Sequence, residues 1–286
     1  MKRPVSPVHR LVRSCSPLSA RLVTRVKWQA GVVEEVDPIA ATRWLKERIP
    51  VPIRDGYTGL NIDYWEANTW LLNAMYATEE ILPEMSADEL NRLRVKAGDS
   101  DALVVNGANL DDLSIRSGIG LGRSRAPGAG WRRLRWADLA LQESAPMASS
   151  GAAPCFRWFN YRSWPIRIQP PTEGSLDRES FLRLVEILSS FAYPASDPRI
   201  CCYYTPLAVV HSRMTGPPLV LSGRLSELSA VYDLSDVHGS PNNIWPEDLS
   251  WFVYTDWDLS GTRVSGSSEL IRALEADVEL ETVRYP

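Results

Sequence analysis

Apolar residues along positions 29–286 follow two different spacings, and the order of these spacings constrains the fold. Helical spacing or capping signals occur at 37–49, 64–81, 86–96, 137–142, 176–191, 225–232 and 267–276. Short apolar or alternating runs typical of strands occur at 101–106, 131–136, 156–164, 200–210, 219–221, 250–255, 261–264 and 281–285. Because the two kinds of element do not alternate as strand–helix–strand units, the sequence predicts an α+β fold with a mainly antiparallel sheet.

The length of 286 residues suits one large domain or two small packed lobes. Small residues flanked by prolines fill positions 144–154, which is the composition of a linker. The sequence therefore divides into an α-rich N-terminal lobe at 28–143, a linker at 144–154 and an acidic α+β lobe at 155–286.

A basic leader precedes the two predicted lobes. Residues 1–27 carry seven lysines and arginines and no carboxylate, and they lack the continuous apolar stretch of a secretory signal. Three interpretations stay open: a disordered arm, a targeting segment, or a start codon assigned upstream of the true one near Val26. The composition favours disorder or the upstream start codon.

The rest of the chain is acidic. Beyond residue 27 it contains 24 lysines and arginines against 35 carboxylates, and residues 225–286 contain twelve carboxylates against three arginines. This charge disfavours nucleic-acid binding by the main domain and favours a cationic or protein partner. No apolar stretch approaches the roughly 18–20 residues that span a bilayer, so we expect a cytoplasmic protein without a membrane partner.

The cysteines predict neither a disulfide framework nor a cofactor site. Cys201 and Cys202 are adjacent and would lie on opposite faces of a strand. A zinc site that combined Cys201 with His211 and His238 would lack ligand pairs at the usual close spacing. We therefore expect buried, reduced thiols and no cofactor.

An arginine-rich segment lies before the linker, at residues 113–137, and contains six arginines, five glycines and no carboxylate. Its glycines do not open a helix as a dinucleotide-binding loop would, and Ser124 lacks the final glycine of a nucleophile elbow. Guanidinium groups bind phosphate and carboxylate. The anion-binding candidates are Arg123, Arg125, Arg132, Arg133 and Arg135. The alternative, which the charges favour, is that these arginines are solvated or pair with the acidic C-terminal third.

Asp256 and Asp258 form the strongest catalytic and metal-binding candidate. They follow a predicted buried strand, where alternation would place both carboxylates on one face to hold Mg²⁺ or Mn²⁺, with Glu247 and Asp248 as further ligands. The competing interpretation is an ordinary turn, because aspartate followed by a Ser-Gly pair is typical of hairpins. The turn is favoured, since Asp-x-Asp alone is a common pattern.

Five runs carry a family resemblance: Ser240–Gly266, Glu269–Asp277, Leu280–Arg284, Gly130–Ala140 and Arg157–Pro165. They resemble uncharacterised proteins of high-GC actinobacteria, and the resemblance extends from about Val26 to the end of the chain. It implies a bacterial host and a soluble protein. It implies no activity and no catalytic residue.

Two functions follow as expectations. The first is a non-enzymatic protein-binding protein, such as an immunity-type inhibitor of a basic toxin, because tryptophan anchors and carboxylates suit a cationic partner. The contact residues would be Glu247, Asp248, Asp256, Trp257 and Asp258. The alternative is a divalent-metal-dependent transferase or hydrolase that uses Asp256 and Asp258.

Overall fold

A computed structural model describes the parts of the chain that build the core. The described residues are 26–27, 32–48, 61–78, 85–98, 104–105, 108–109, 128–143, 153–155, 158, 165–192, 197–209 and 216–284. Residues 1–25 of the predicted basic leader, most of the predicted linker and most of the aromatic run at 156–164 lie outside the described residues, whereas Val26–Lys27 at the end of the leader are described.

Strands outnumber helices in the described residues. The strands, β1 to β14 in chain order, are Val26–Lys27, Val32–Glu35, Ala67–Leu72, Met75–Thr78, Val104–Val105, Ala108–Asn109, Trp131–Leu134, Ile168–Gln169, Arg199–Tyr204, Leu219–Arg224, Asn243–Pro246, Phe252–Tyr254, Gly261–Gly266 and Thr282–Val283. The helices, α1 to α6, are Pro38–Ala41, Arg43–Lys46, Ala87–Lys96, Trp136–Glu143, Arg178–Phe191 and Ser268–Ala276. Two 3-10 helices cover Pro206–Ala208 and Leu225–Asp233.

One nine-stranded sheet organises the molecule, with strand order β1-β2-β10-β9-β11-β12-β13-β3-β14. Every neighbouring pair is antiparallel. A smaller sheet has the order β7-β4-β8, and β5 pairs with β6. The predicted α+β class with a mainly antiparallel sheet is confirmed. Strands β2 and β3 lie in the same sheet as β9 to β14, so the two predicted lobes share it.

Both faces of the large sheet are covered. Leu71 points into a core formed with α5, α6 and the second 3-10 helix, whereas Trp70 and Leu72 point into a core formed with α2, α4 and the small sheet. Cys202 and Tyr203 divide in the same way on β9. This alternation follows from the two-residue period of a strand, and it explains why these strands are apolar at successive positions.

Helix α5 is fixed to the sheet at its first turn. The Asp177 carboxylate accepts a hydrogen bond from the Ser180 amide at 3.0 Å, which caps the helix, and a second from the Ala74 amide at 2.9 Å. The Asp177 residue is 1% exposed. Since Ala74 lies between β3 and β4, this single carboxylate connects the start of α5 to the edge of both sheets.

The predicted helix at 64–81 is wrong, because this segment forms β3 and β4. Strand β3 lies between β13 and β14, with both faces buried. Its apolar residues therefore crowd together and imitate the broad apolar side of a helix. Asn73 separates the two strands, and its side-chain amide donates to the carbonyl oxygen of Ser175 at 2.8 Å.

Most other predicted elements are confirmed. The helix predicted at 37–49 begins at the Asp37 cap as expected, but Thr42 divides it into α1 and α2. The run at 200–210 is a strand only to Tyr204, and Pro206 then opens a 3-10 helix. The capping box of Ser86 forms as predicted at the start of α3.

Of the described cysteines, Cys155 and Cys202 are buried as expected, whereas Cys201 is only partly buried. Cys155, Cys201 and Cys202 are free, and the adjacent pair lies on opposite faces of β9. Burial raises the pKa of the Cys201 thiol and raises that of Cys202 further. Among the described residues, no helix has the length and apolar character needed to cross a membrane.

Candidate functional site

The turn between β12 and β13 carries the predicted Asp-x-Asp pair; we call residues 256–260 the Trp257 turn. Asp256 directs one carboxylate oxygen to the Tyr254 hydroxyl, at 3.1 Å, and the other to the Trp257 amide, at 2.7 Å. Asp256 is 8% exposed. This carboxylate therefore accepts hydrogen bonds from neutral donors within its own hairpin and fixes the course of the turn.

Contacts from three other segments hold the Trp257 turn in place. The Leu259 carbonyl accepts a hydrogen bond from the Gly174 amide at 3.0 Å, and the Ser260 carbonyl accepts one from the Asn73 amide at 3.0 Å. The Ser260 amide donates to the Pro154 carbonyl at 2.6 Å. The turn is thus bonded on both flanks and presents its exposed side chains from a rigid support.

Trp257 is exceptional among the described tryptophans. Nine tryptophans lie in the described residues, and Trp257 is the most exposed of them, with 44% of its surface accessible to solvent. Trp136 and Trp158, by contrast, are almost completely buried and pack against each other edge to face. Trp136 and Trp158 therefore serve the core, whereas the indole of Trp257 is presented to solvent.

A third carboxylate, from Glu173, lies beside the turn. Burial raises the pKa of Glu173 to about 7, and the neighbouring Asp258 carboxylate contributes to the rise. Burial, Asp256 and Asp258 together raise the pKa of Tyr254. Asp256 therefore contacts the Tyr254 phenol directly, Asp258 lies near enough to influence the pKa of this phenol, and Glu173 lies close to Asp258.

The other two predicted contact residues lie apart from the turn. Glu247 and Asp248 follow β11 and are exposed, at the opposite end of β12 from Asp256. Three residues of extended strand separate the two ends by about 10 Å. The structure does not bring Glu247 and Asp248 together with Asp256 and Asp258 as ligands of one ion or as one compact contact surface.

The arrangement of carboxylates does not form a recognisable metal centre. Within the described part of the chain, no group of three or more His, Cys, Asp or Glu side chains is arranged to hold a metal ion. Both oxygens of Asp256 already accept hydrogen bonds from the hairpin. The described carboxylates therefore do not provide a set of ligands that would support the metal-dependent alternative.

Two of the predicted anion-binding arginines line a cleft of about 450 Å³. Its lining residues, which we call the arginine cleft, are Arg133, Arg135, Glu179, Ser180, Arg183, Val278 and Glu279. Arg132, the neighbour of Arg133 on β7, is exposed and does not line the cleft. Arg123 and Arg125 lie outside the described residues.

Three residues of these surfaces were missed from the sequence. Glu173 lies 85 positions before Asp258 in a proline-rich turn and gives no local signal. Arg183 looks like an ordinary polar position of an amphipathic helix. Tyr254 could have been found, because it precedes Asp256 by two positions and so lies on the same side of an extended strand.

Comparison of the chain with protein-family models, with curated proteins and with solved structures finds no match. The resemblance to actinobacterial proteins therefore stays a prediction from the sequence runs, and the function must be argued from the geometry.

Proposed function

We propose that this chain is a non-enzymatic cytoplasmic protein that binds a basic protein through the Trp257 turn, as an immunity-type inhibitor of a basic toxin would. The observation that carries the proposal is the exposed indole of Trp257 on a turn fixed by hydrogen bonds. A large aromatic side chain on a rigid support is the usual anchor of a protein interface.

The charges beside Trp257 support a basic partner. Asp258 is partly exposed, and its carboxylate raises the pKa of Glu173 because two like charges lie close together. A lysine or arginine placed here would relieve that repulsion and would favour the ionised form of Glu173. The acidic character of the whole chain beyond residue 27 would attract the same partner over longer distances.

The surface is tested by selecting short random peptides, displayed on phage, against the full-length chain. We expect the selected peptides to be rich in arginine and lysine. Trp257→Ala should weaken their binding at least about 10-fold, because a central aromatic anchor contributes much of an interface's free energy. Binding is measured by titration calorimetry with each synthetic peptide.

The matched control is the double variant Glu247→Gln with Asp248→Asn, which removes two charges at the other end of β12. Its affinity should stay within about 2-fold of wild type, since exposed charges remote from a contact contribute little. Neutral or acidic selected peptides, or equal binding by Trp257→Ala, would contradict the proposed surface.

The inhibitor role needs a separate experiment, in which the chain is co-expressed with a basic toxin-like protein encoded beside its gene. Protection of growth by the wild type and its loss in Trp257→Ala would support the proposal. Protection that Trp257→Ala leaves unchanged would contradict the proposal. The absence of protection against every basic protein encoded beside the gene would also contradict it.

A further inference from the structure

The arginine cleft is a second region whose chemistry the proposed function does not use. Three elements form its walls: β7 and the residue after it, the first turns of α5, and the loop that follows α6. Arg133 and Arg135 are two positions apart in extended backbone, so both leave the chain on the same side. The volume of about 450 Å³ falls within the range of small-molecule sites.

Within the described part of the chain, Arg133 and Arg135 contact neutral oxygen atoms rather than carboxylates. Arg133 donates to the Ser180 hydroxyl at 3.4 Å, and Arg135 donates to the Val278 carbonyl at 2.6 Å. Among the described residues, no carboxylate lies within 4.0 Å of either guanidinium. These neutral acceptors orient the two side chains but leave most of their N–H donors available.

The third arginine has a different role. Arg183 donates two hydrogen bonds to Asp277, at 2.9 and 2.6 Å, and one to Glu186 at 2.6 Å. Its charge is therefore matched by the protein itself, and its side chain forms a fixed wall. The sequence interpretation paired the arginines of residues 113–137 with the acidic C-terminal third. Among the described contacts, Arg135 reaches that region through the Val278 carbonyl, and the ion pair to Asp277 comes instead from Arg183, which lies outside that segment.

Glu179 adds a negative charge to the same cleft. Its carboxylate accepts a hydrogen bond from the Tyr76 hydroxyl at 3.4 Å, and no arginine or lysine of the described residues lies within 4.0 Å of it. A purely anionic ligand would be repelled by this carboxylate. A ligand with an amine beside its anionic group would instead satisfy both charges.

We propose that the arginine cleft binds a small zwitterionic molecule, with its phosphate or carboxylate group on Arg133 and Arg135 and its amine towards Glu179. Paired guanidinium groups recognise both kinds of oxyanion through parallel N–H donors. The inference is independent of the proposed function, because no residue lining the cleft belongs to the Trp257 turn.

Titration calorimetry on the full-length chain tests the site with three probes: inorganic phosphate, phosphoethanolamine and glutamate. We expect saturable binding of phosphoethanolamine or glutamate, and weaker binding of inorganic phosphate, which lacks the amine. The tighter of the two zwitterions identifies phosphate or carboxylate as the preferred group. Arg133→Gln and Arg135→Gln should each weaken this binding about 10-fold or more.

Two further variants separate the contacts. Glu179→Gln should remove the advantage of phosphoethanolamine over inorganic phosphate, since the amine then loses its partner. Arg133→Lys, which keeps the charge but not the planar fork, should give an intermediate loss even if the glutamine variant folds poorly. The matched control is Arg272→Gln, an exposed arginine of α6 outside the cleft, which should bind within about 2-fold of wild type.

Several results would overturn the proposal. The first is that none of the probes binds saturably at millimolar concentration. The second is that the Arg133 and Arg135 variants bind the probes as tightly as the wild type does. The third is an unchanged ratio between phosphoethanolamine and inorganic phosphate in Glu179→Gln.

Discussion

The Trp257 turn and the arginine cleft both present charges to solvent, but they stabilise those charges differently. In the turn, burial and, to a smaller extent, the nearby Asp258 carboxylate raise the pKa of Glu173 to about 7. In the cleft, Arg133 and Arg135 contact neutral oxygens, whereas Arg183 is paired with carboxylates. A charged side chain therefore stays available to a ligand when the protein groups that contact it are neutral or carry the same charge.

The start of α5 connects the two regions. Glu173 precedes the helix and faces the turn, whereas Glu179 and Arg183 lie on the helix and line the cleft. Asp177 lies between them in sequence and ties this segment to Ala74. A change at Asp177 should therefore disturb both regions. A change at Trp257 should disturb only the turn, and a change at Arg133 or Arg135 should disturb only the cleft.

Asp177→Ala is the substitution with the largest expected effect. It removes the cap of α5, which contributes about 1–2 kcal/mol, and leaves the buried Ala74 amide without its acceptor, which costs about 1–3 kcal/mol more. We expect the free energy of unfolding, measured in urea, to fall by about 2–5 kcal/mol in total. Both proposed binding activities should weaken together.

The control for this prediction is Asp233→Ala. Asp233 forms an exposed ion pair with Arg178 of the same helix, at 2.8 Å. Exposed pairs contribute about 0–1 kcal/mol, so unfolding should change little. Equal losses in the two variants would show that the buried cap has no special role in joining the regions.

Glu173→Gln should change how stability depends on pH. The folded pKa of about 7 lies above the ordinary value of 4.5 because of burial and Asp258. The folded state therefore holds a proton that the unfolded state releases between these values, and wild-type stability should fall as the pH rises from about 4.5 to about 7. Above pH 7 the variant should be more stable than wild type by about 3 kcal/mol.

Urea unfolding of both proteins at a series of pH values measures this difference. Near pH 4.5 the two free energies of unfolding should agree, since Glu173 is then protonated in the folded wild type. A constant difference at all pH values would mean that the substitution acts through packing rather than through the charge beside Asp258.

Elements that depend on local sequence signals could be predicted, whereas elements that depend on tertiary contacts could not. The helix at 86–96 and the hairpin of β12 and β13 depend on local signals, namely a capping box and a turn between two short apolar runs. They were therefore predicted correctly. The strands at 67–78 were predicted as a helix because their environment, a sheet covered on both faces, is a tertiary property.

The same distinction holds for the site residues. Asp256 and Asp258 are close in sequence, so their proximity could be predicted. Glu173 reaches Asp258 only because the loop before α5 bonds to Leu259, and Arg183 lines one cleft with Arg133 only because the first turn of α5 is bonded to β7 and to the link between β3 and β4. These encounters depend on strand order, which a single sequence without a recognised fold does not specify.

Trp257→Ala should have the smallest effect on stability and therefore separates binding from folding most clearly. With 44% of its surface accessible, Trp257 is more exposed than the other described tryptophans, and the hydrogen bond from its amide to Asp256 is retained in alanine. Because part of the indole is covered, we expect the free energy of unfolding to fall by about 1–2 kcal/mol, while peptide binding at the turn is lost and zwitterion binding in the arginine cleft is unchanged. Circular dichroism in urea and the two titrations measure these quantities. A large loss of stability would assign the indole to the core, and parallel losses at both sites would mean that the turn and the cleft are coupled.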